Sequence, residues 1–217
     1  MQEIIQTLTV VALPVIFAIT LHEAAHGYVA RALGDNTAFV AGRVSLNPLR
    51  HIDPVGTLLV PIAILILSKL SGGPAMLFGW AKPVPVNFGN LRSPKRDMRW
   101  VALAGPASNL LMALGWAFLI KFQAALGVRE VFFYEMAQAG IVINLVLMAL
   151  NLLPLPPLDG GRIVFSLLPN RLAWQYGKIE PYGMIIMLAL FALNVLPVLM
   201  RPLMGLGMRI VQFFIGV

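Results

Sequence analysis

Residues 101–120 run for twenty positions without one Asp, Glu, Lys or Arg, the length an α-helix needs to cross a hydrocarbon core about 30 Å thick. Lipid offers no water to backbone N–H and C=O groups, so such a segment must satisfy them internally as a helix. Residues 184–200 approach the same length. Of the whole chain, 59% is hydrophobic and 12% charged, against about 25% charged in an average soluble domain. Lipid, not water, is therefore the expected solvent, and residues 1–217 read as a single integral-membrane domain.

The formal net charge of +7 raises the question of nucleic acid. The Lys and Arg residues lie between apolar segments and build no long basic stripe, so no nucleic-acid partner is expected. Loops facing the cytoplasm and anionic lipid account for them better. The chain has no cysteine, so any metal must be held by His, Asp or Glu. The apolar stretch 8–21 lacks a basic leader before it and runs directly into His22 and Glu23; it reads as a retained first helix.

Helix 1 is expected over about residues 4–32, stopped by Gly34. Residues 37–53 change character: Phe39, Val40, Gly42, Val44 and Leu46 suggest short strands, and Asn47-Pro48 a turn. Residues 55–70 are apolar but short for a crossing. Residues 79–99 carry Lys82, Pro83, Pro85, Arg92, Pro94, Lys95, Arg96 and Arg99 and read as extended. Further apolar segments follow at about 100–122, 134–153 and 181–200, with a last piece at 203–217. The expected fold is an all-α polytopic membrane protein, a bundle of about four to six membrane helices with a small β element and a re-entrant segment near the metal site.

That metal site is announced by His22-Glu23-Ala24-Ala25-His26. On a helix, histidines four residues apart project from one face about a turn from each other and can bind one zinc ion. Glu23 then lies beside the metal, where a carboxylate can take a proton from a zinc-bound water and pass it to a leaving amine. Chance can produce such a pentapeptide in a soluble helix. In a membrane helix it is costly, since an ionisable residue at the centre costs about 2.5 to 3.5 kcal/mol on insertion scales.

A hydrolytic zinc site normally has three protein ligands and one open position. Glu3, Glu130, Glu135 and Glu180 lie at segment ends, whereas Asp159 follows an apolar helix and is the best candidate for the third ligand. Its bland alternative is a helix N-cap for a segment beginning at Gly160. His51 and Asp53 are weaker candidates, in a turn-rich stretch. Asn151, ahead of a doubly proline-broken stretch, can offer an amide N–H to a developing oxyanion or make a helix–helix hydrogen bond. For Asn109 and Asn144 the structural role is the expected one.

In these residues the chain resembles the site-2 proteases, intramembrane zinc metalloproteases of the M50 peptidase class. Beside His22-Glu23-x-x-His26 it carries N-x-x-P-x-P-x-L-D-G as Asn151 to Gly160, and G-P-x-x-N as Gly105-Pro106-Ala107-Ser108-Asn109. The resemblance implies one zinc ion held by His22, His26 and Asp159, Glu23 as general base, and Asn151 near the substrate. It implies cleavage of membrane-spanning protein substrates within the bilayer. The chain differs from larger members of the family in showing no PDZ or CBS domain, and it spaces the first motif from Asp159 more widely than a minimal three-helix core needs.

One ion touching His22, His26 and Asp159 puts the C-terminal ends of helix 1 and of the 134–153 helix at one depth. These two helices then run the same way, with 100–122 crossing between them. Residues 55–70 are expected to enter the membrane as a short helix and return as extended chain over 71–80. The basic loops then share the cytoplasmic side, which makes this a multi-pass protein of the cell membrane with its site nearer the cytoplasmic face. An unwound substrate needs a partner strand, and residues 40–46 or 84–87 are candidates for β-strand addition or simply plug the cytoplasmic mouth. Two rival readings stay open: an inactive relative that binds transmembrane helices, and a membrane metal-binding or transport protein.

Overall fold

A computed structural model of the chain describes residues 2–70, 79, 81–128 and 130–216. The elements are α1 (Gln2–Ala32), α2 (Thr37–Val40), a π-helical segment Pro54–Leu59 leading into α3 (Val60–Leu70), α4 (Pro94–Ala125), α5 (Val131–Asn151), α6 (Asp159–Leu167), α7 (Asn170–Gly177), α8 (Gly183–Ala192) and α9 (Leu196–Ile215). Among the described residues four helical stretches, Thr9–Ala32, Pro94–Ala125, Val131–Asn151 and Leu196–Ile215, are long and apolar enough to cross a membrane.

Local chemistry sets the ends of the central helices. At the C-terminus of α1, Gly34 takes φ +111°, and the N–H groups of Gly34 and Asp35 donate back to the Arg31 and Ala30 carbonyls. That is the Schellman closure, which a side chain with a Cβ enters only at a cost. At the N-terminus of α4, Pro94 supplies the fixed φ of a first helical residue. The Asp97 carboxylate reaches back to accept the Ser93 N–H at 2.7 Å, covering a donor the helix cannot pair.

α1, α4 and α5 form the centre, and their contacts fix their relative directions. His26 and His22 of α1 meet Val101 and Asn109 of α4, so α1 and α4 run antiparallel. Asn109 meets Asn144 of α5, and further along α4 Trp116 closes on Gly140, so α4 and α5 are antiparallel too. α1 and α5 therefore run the same way, as the metal geometry requires. Buried alanines lie along these three helices, including Ala18, Ala24, Ala113, Ala117 and Ala137; small residues let backbones approach where lipid supplies no hydrophobic drive.

Two sequence expectations need correction and a third gains no support. Among the described residues no strand forms: Thr37–Val40 is a helical turn and residues 41–47 are irregular. The Val40 N–H is spent on the Asn36 carbonyl, so β-branched composition yields to a local turn. The expected β element is therefore absent there. The re-entrant path gains no support: its ingoing leg is helical as expected, with Asp53 accepting the N–H groups of Val55 and Gly56, but nearly all of the return leg over 71–80 lies outside the described residues. Finally, 181–200 is not one segment. Asn194 turns the chain with φ 55°, ending α8 and starting α9, which absorbs the tail piece 203–217 through Ile215.

Candidate metal centre

The site is built where α1, α4 and α6 meet. His22 and His26, one turn apart on α1, are each 7% exposed, and Asp159 is 6% exposed. The His22 and His26 Nε2 atoms are 3.1 Å apart. Asp159 Oδ2 lies 3.3 Å from the first and 3.2 Å from the second. Among the described residues these three form the cluster of metal-ligating side chains. Asp159 is the first residue of α6, with Leu158 at the N-cap position, so the N-cap reading of Asp159 falls.

The protonation pattern follows from the second layer of partners. His26 Nδ1 lies 2.7 Å from the Val101 carbonyl, which only accepts, so Nδ1 carries the proton. For His22 the deduction runs through three residues. Asn144 Nδ2 donates to Gly140 O, which turns Asn144 Oδ1 toward Asn109 Nδ2 at 3.0 Å. Asn109 Nδ2 also donates to Ala18 O, so Asn109 Oδ1 faces His22 Nδ1 at 2.7 Å and accepts its proton.

With Nδ1 protonated in both neutral imidazoles, both Nε2 atoms present lone pairs. These face each other and a carboxylate oxygen that is buried without a hydrogen-bond partner. Three acceptors at such separations repel one another unless a cation lies among them, and a buried polar atom left unpaired costs about 1–3 kcal/mol. Zn–N and Zn–O bonds of about 2.0–2.1 Å in tetrahedral arrangement separate the ligand atoms by roughly 3.3 Å. The three residues fit a zinc ion, in donor type as in spacing.

Two glycine-bearing segments bring these groups together. A Cβ on Gly105 would stand 2.4 Å from His26 Nε2 and 2.5 Å from His22 Cε1, so α4 approaches the imidazoles closely only because this residue has no side chain. Gly160 and Gly161 do the same for the proline loop: Cβ atoms there would lie 2.3 Å from Leu152 O and 2.5 Å from Pro156 N. Residues 152–156 thus fold across the start of α6, which aims Asp159 at α1.

Glu23 is half-buried, and its Oε2 accepts the Val84 N–H at 2.7 Å. With His22, Asn151 and Thr57 it borders a cavity of about 390 Å³ whose other walls include Ile19, Leu147, Leu158 and Met187. Asn151 Nδ2 donates to Leu147 O, one turn back in its own helix, which leaves the second amide hydrogen uncommitted. His51 is buried and directs Nε2 to Ser45 O, while Asp53 caps a helix; neither joins the metal cluster. The extended chain at 84–87 is a poor strand partner, because the Val84 and Asn87 N–H groups are spent on Glu23 and Asp35 and Pro85 has none.

Gly105 and Asn109 are the site residues whose task the sequence did not disclose. Their spacing of four on α4 was a usable signal, because it stacks them on one helix face.

Residues 128–194 match the family described as peptidase family M50. The chain is 38% identical over 197 residues to the Bacillus subtilis protein named "Putative zinc metalloprotease YwhC", covering 88% of this chain and 84% of that one. It is 30% identical over 172 residues to the Mycolicibacterium smegmatis "Putative zinc metalloprotease Rip2", covering 77% of this chain and 54% of the relative. For the Rip2 protein of Mycobacterium tuberculosis strain H37Rv the identity is 26%, covering 80% and 63%. No solved structure matches the chain.

Proposed function

The chain belongs to peptidase family M50, and on that premise we propose that it is an intramembrane zinc metalloendopeptidase acting on peptide bonds in or near the membrane-spanning segments of other proteins. The observation that carries this reading is the convergence of three buried acceptors, His22 Nε2, His26 Nε2 and Asp159 Oδ2, beside a carboxylate at the edge of a cavity among span-length helices. In this reading His22, His26 and Asp159 hold one ion. When bound, zinc supplies Lewis-acid activation of water and of a peptide carbonyl.

The rest of the work falls to the protein. Glu23 accepts a proton as the nucleophile forms and returns it to the departing amine nitrogen. Asn151, on the same cavity wall, donates its free amide hydrogen to the carbonyl oxygen as charge develops there. The aliphatic walls accept an apolar stretch of substrate, which must unwind locally because a helix keeps its peptide groups paired.

Orientation follows from charge. Arg31, Arg43, Arg50, Lys82, Arg92, Lys95, Arg96, Arg99, Arg162, Arg171 and Lys178 lie at or beyond the helix ends that bear the site, and a cytoplasmic location suits such a concentration. Because the chain lacks cysteine, a single Lys178→Cys change offers a clean label: reagent reaching it only from outside would reverse the orientation.

The activity is tested by incubating purified protein with several single-span test proteins beside a Glu23→Gln control, with bound zinc measured in both. Cleavage by the wild type alone, at equal zinc content, is expected. Zinc-loaded wild type that cuts none of them would overturn the proposal.

A further inference from the structure

Asp35 lies just past α1, is fully buried and takes no part in the metal cluster, yet it gathers more hydrogen bonds than a helix stop requires. Its Oδ1 accepts from the Thr37 N–H at 2.9 Å, from the Thr37 hydroxyl and from Asn90 Nδ2 at 3.2 Å. Its Oδ2 accepts the Asn87 N–H at 2.7 Å. Two of these donors belong to the extended segment 81–92, the same segment whose Val84 N–H is given to Glu23.

That segment has little regular structure of its own beyond a short turn at Phe88–Asn90. Pro83 and Pro85 carry no N–H, so residues 81–87 cannot hold themselves by a backbone ladder and depend on outside anchors. At one end the Lys82 N–H donates to His51 O and Arg43 Nη2 donates to Lys82 O. At the other, the Arg92 N–H donates to Leu33 O and Asp35 holds Asn87 and Asn90. Proline limits the freedom of the residues between anchors, so fixing Asn87 constrains Val84 three residues away. The packing of Val84 beside Gly27 restrains its side chain but does not by itself set the direction of its N–H.

We propose that Asp35 is a positioning residue for Glu23: its carboxylate anchors the 81–92 strap so that the Val84 N–H holds one Glu23 oxygen and directs the other at the reacting groups. The inference rests on the reading of Glu23 as general base. It predicts a defect in turnover, not in metal binding or substrate capture, because Asp35 touches neither the ligands nor the cavity.

Asp35→Asn tests it, since the change keeps the side chain's shape and puts an amide where Asn87 N–H needs an acceptor. Zinc content should be unchanged and KM within about twofold, while kcat falls on the order of 10- to 100-fold, as small misplacements of catalytic groups do. Amide hydrogen exchange at Val84 should rise by roughly tenfold or more, with the helix around His22 and His26 unaffected. Val84→Pro, which deletes the N–H itself, should lower kcat similarly, and adding Asp35→Asn to it should cost nothing more. If Asp35→Asn does not fold, Asn90→Ala removes one strap contact and should give a smaller loss in the same sense. Additive losses in the double variant, lost zinc, or unchanged Val84 exchange would overturn the proposal. If the wild type itself cuts no substrate, the protease reading fails first, and the exchange measurement still decides whether Asp35 governs the Val84 contact.

Discussion

His22 Nδ1 and Asn109 Oδ1 stand 2.7 Å apart across the α1–α4 contact, and this bond makes a helix–helix hydrogen bond and a ligand's tautomer one feature. Asn109 is fully buried and is itself oriented by Asn144. The polar string from Gly140 O to His22 therefore fixes the nitrogen lone pair that faces Asp159.

Replacing Asn109 by Leu keeps the volume and breaks that string. Loss of such an outer partner typically weakens metal affinity 10–100-fold, and Asn144 Oδ1 is left without its donor, at about 1–3 kcal/mol. A competition titration with a zinc chelator and a thermal melt on the detergent-solubilised variant measure the two effects. Wild-type zinc affinity would show that His22 needs no such partner.

Gly105→Ala separates fit from helix propensity. Alanine favours a helix interior over glycine by about 1 kcal/mol, so on propensity alone the variant should gain stability. The added Cβ would instead fall within 2.6 Å of His22 Nε2 and 2.4 Å of His26 Nε2, closer than any carbon tolerates. The imidazoles must move, and bound zinc measured by elemental analysis should drop well below one per chain while the helical circular dichroism persists. Full zinc occupancy would refute the close approach of α4.

Metal removal should destabilise the fold, because it leaves two lone pairs and a carboxylate oxygen facing one another with no shared charge. A ligand that binds only the folded state adds RT ln(1 + [L]/Kd), about 2.7 kcal/mol at a hundredfold excess over Kd. Chelation should therefore lower the melting temperature and readdition of zinc restore it. His22→Ala together with His26→Ala should abolish the response. A melting temperature indifferent to chelator in the wild type would count against the site.

Much of this was legible beforehand because it rests on short-range rules. His22, Glu23 and His26 are spaced by the helix repeat, and Asp159 stood apart from the acidic residues at segment ends. The parallel course of α1 and α5 followed from requiring those residues to meet. The misread parts depend on tertiary context. Phe39, Val40, Val44 and Leu46 have strand-like composition, but the backbone there closes into a turn after α1. The break at Asn194 is followed by Pro197 in the first turn of α9, a start signal that the reading of 181–200 as one segment passed over, while Pro202 is accommodated inside that helix. For Asn109 the expected helix–helix hydrogen bond is made, to Asn144, but its contact with His22, 87 residues away, had no local signal.

The strap anchor adds a pH dependence whose sign is fixed. Burial pushes the Asp35 carboxyl up, but the donors from Thr37, Asn87 and Asn90 outweigh it and hold the group below its ordinary value. A carboxyl depressed in the folded state contributes stability that is fully present above its unfolded value, near 3.9. That contribution is lost as pH falls from there through the folded value, because the unfolded chain takes up the proton first. Thermal melts of wild type and Asp35→Asn from pH 7 to pH 3 should differ most at neutral pH and converge below about pH 4. A gap that stays constant to pH 3 would mean that the Asp35 carboxyl is not depressed in the folded state.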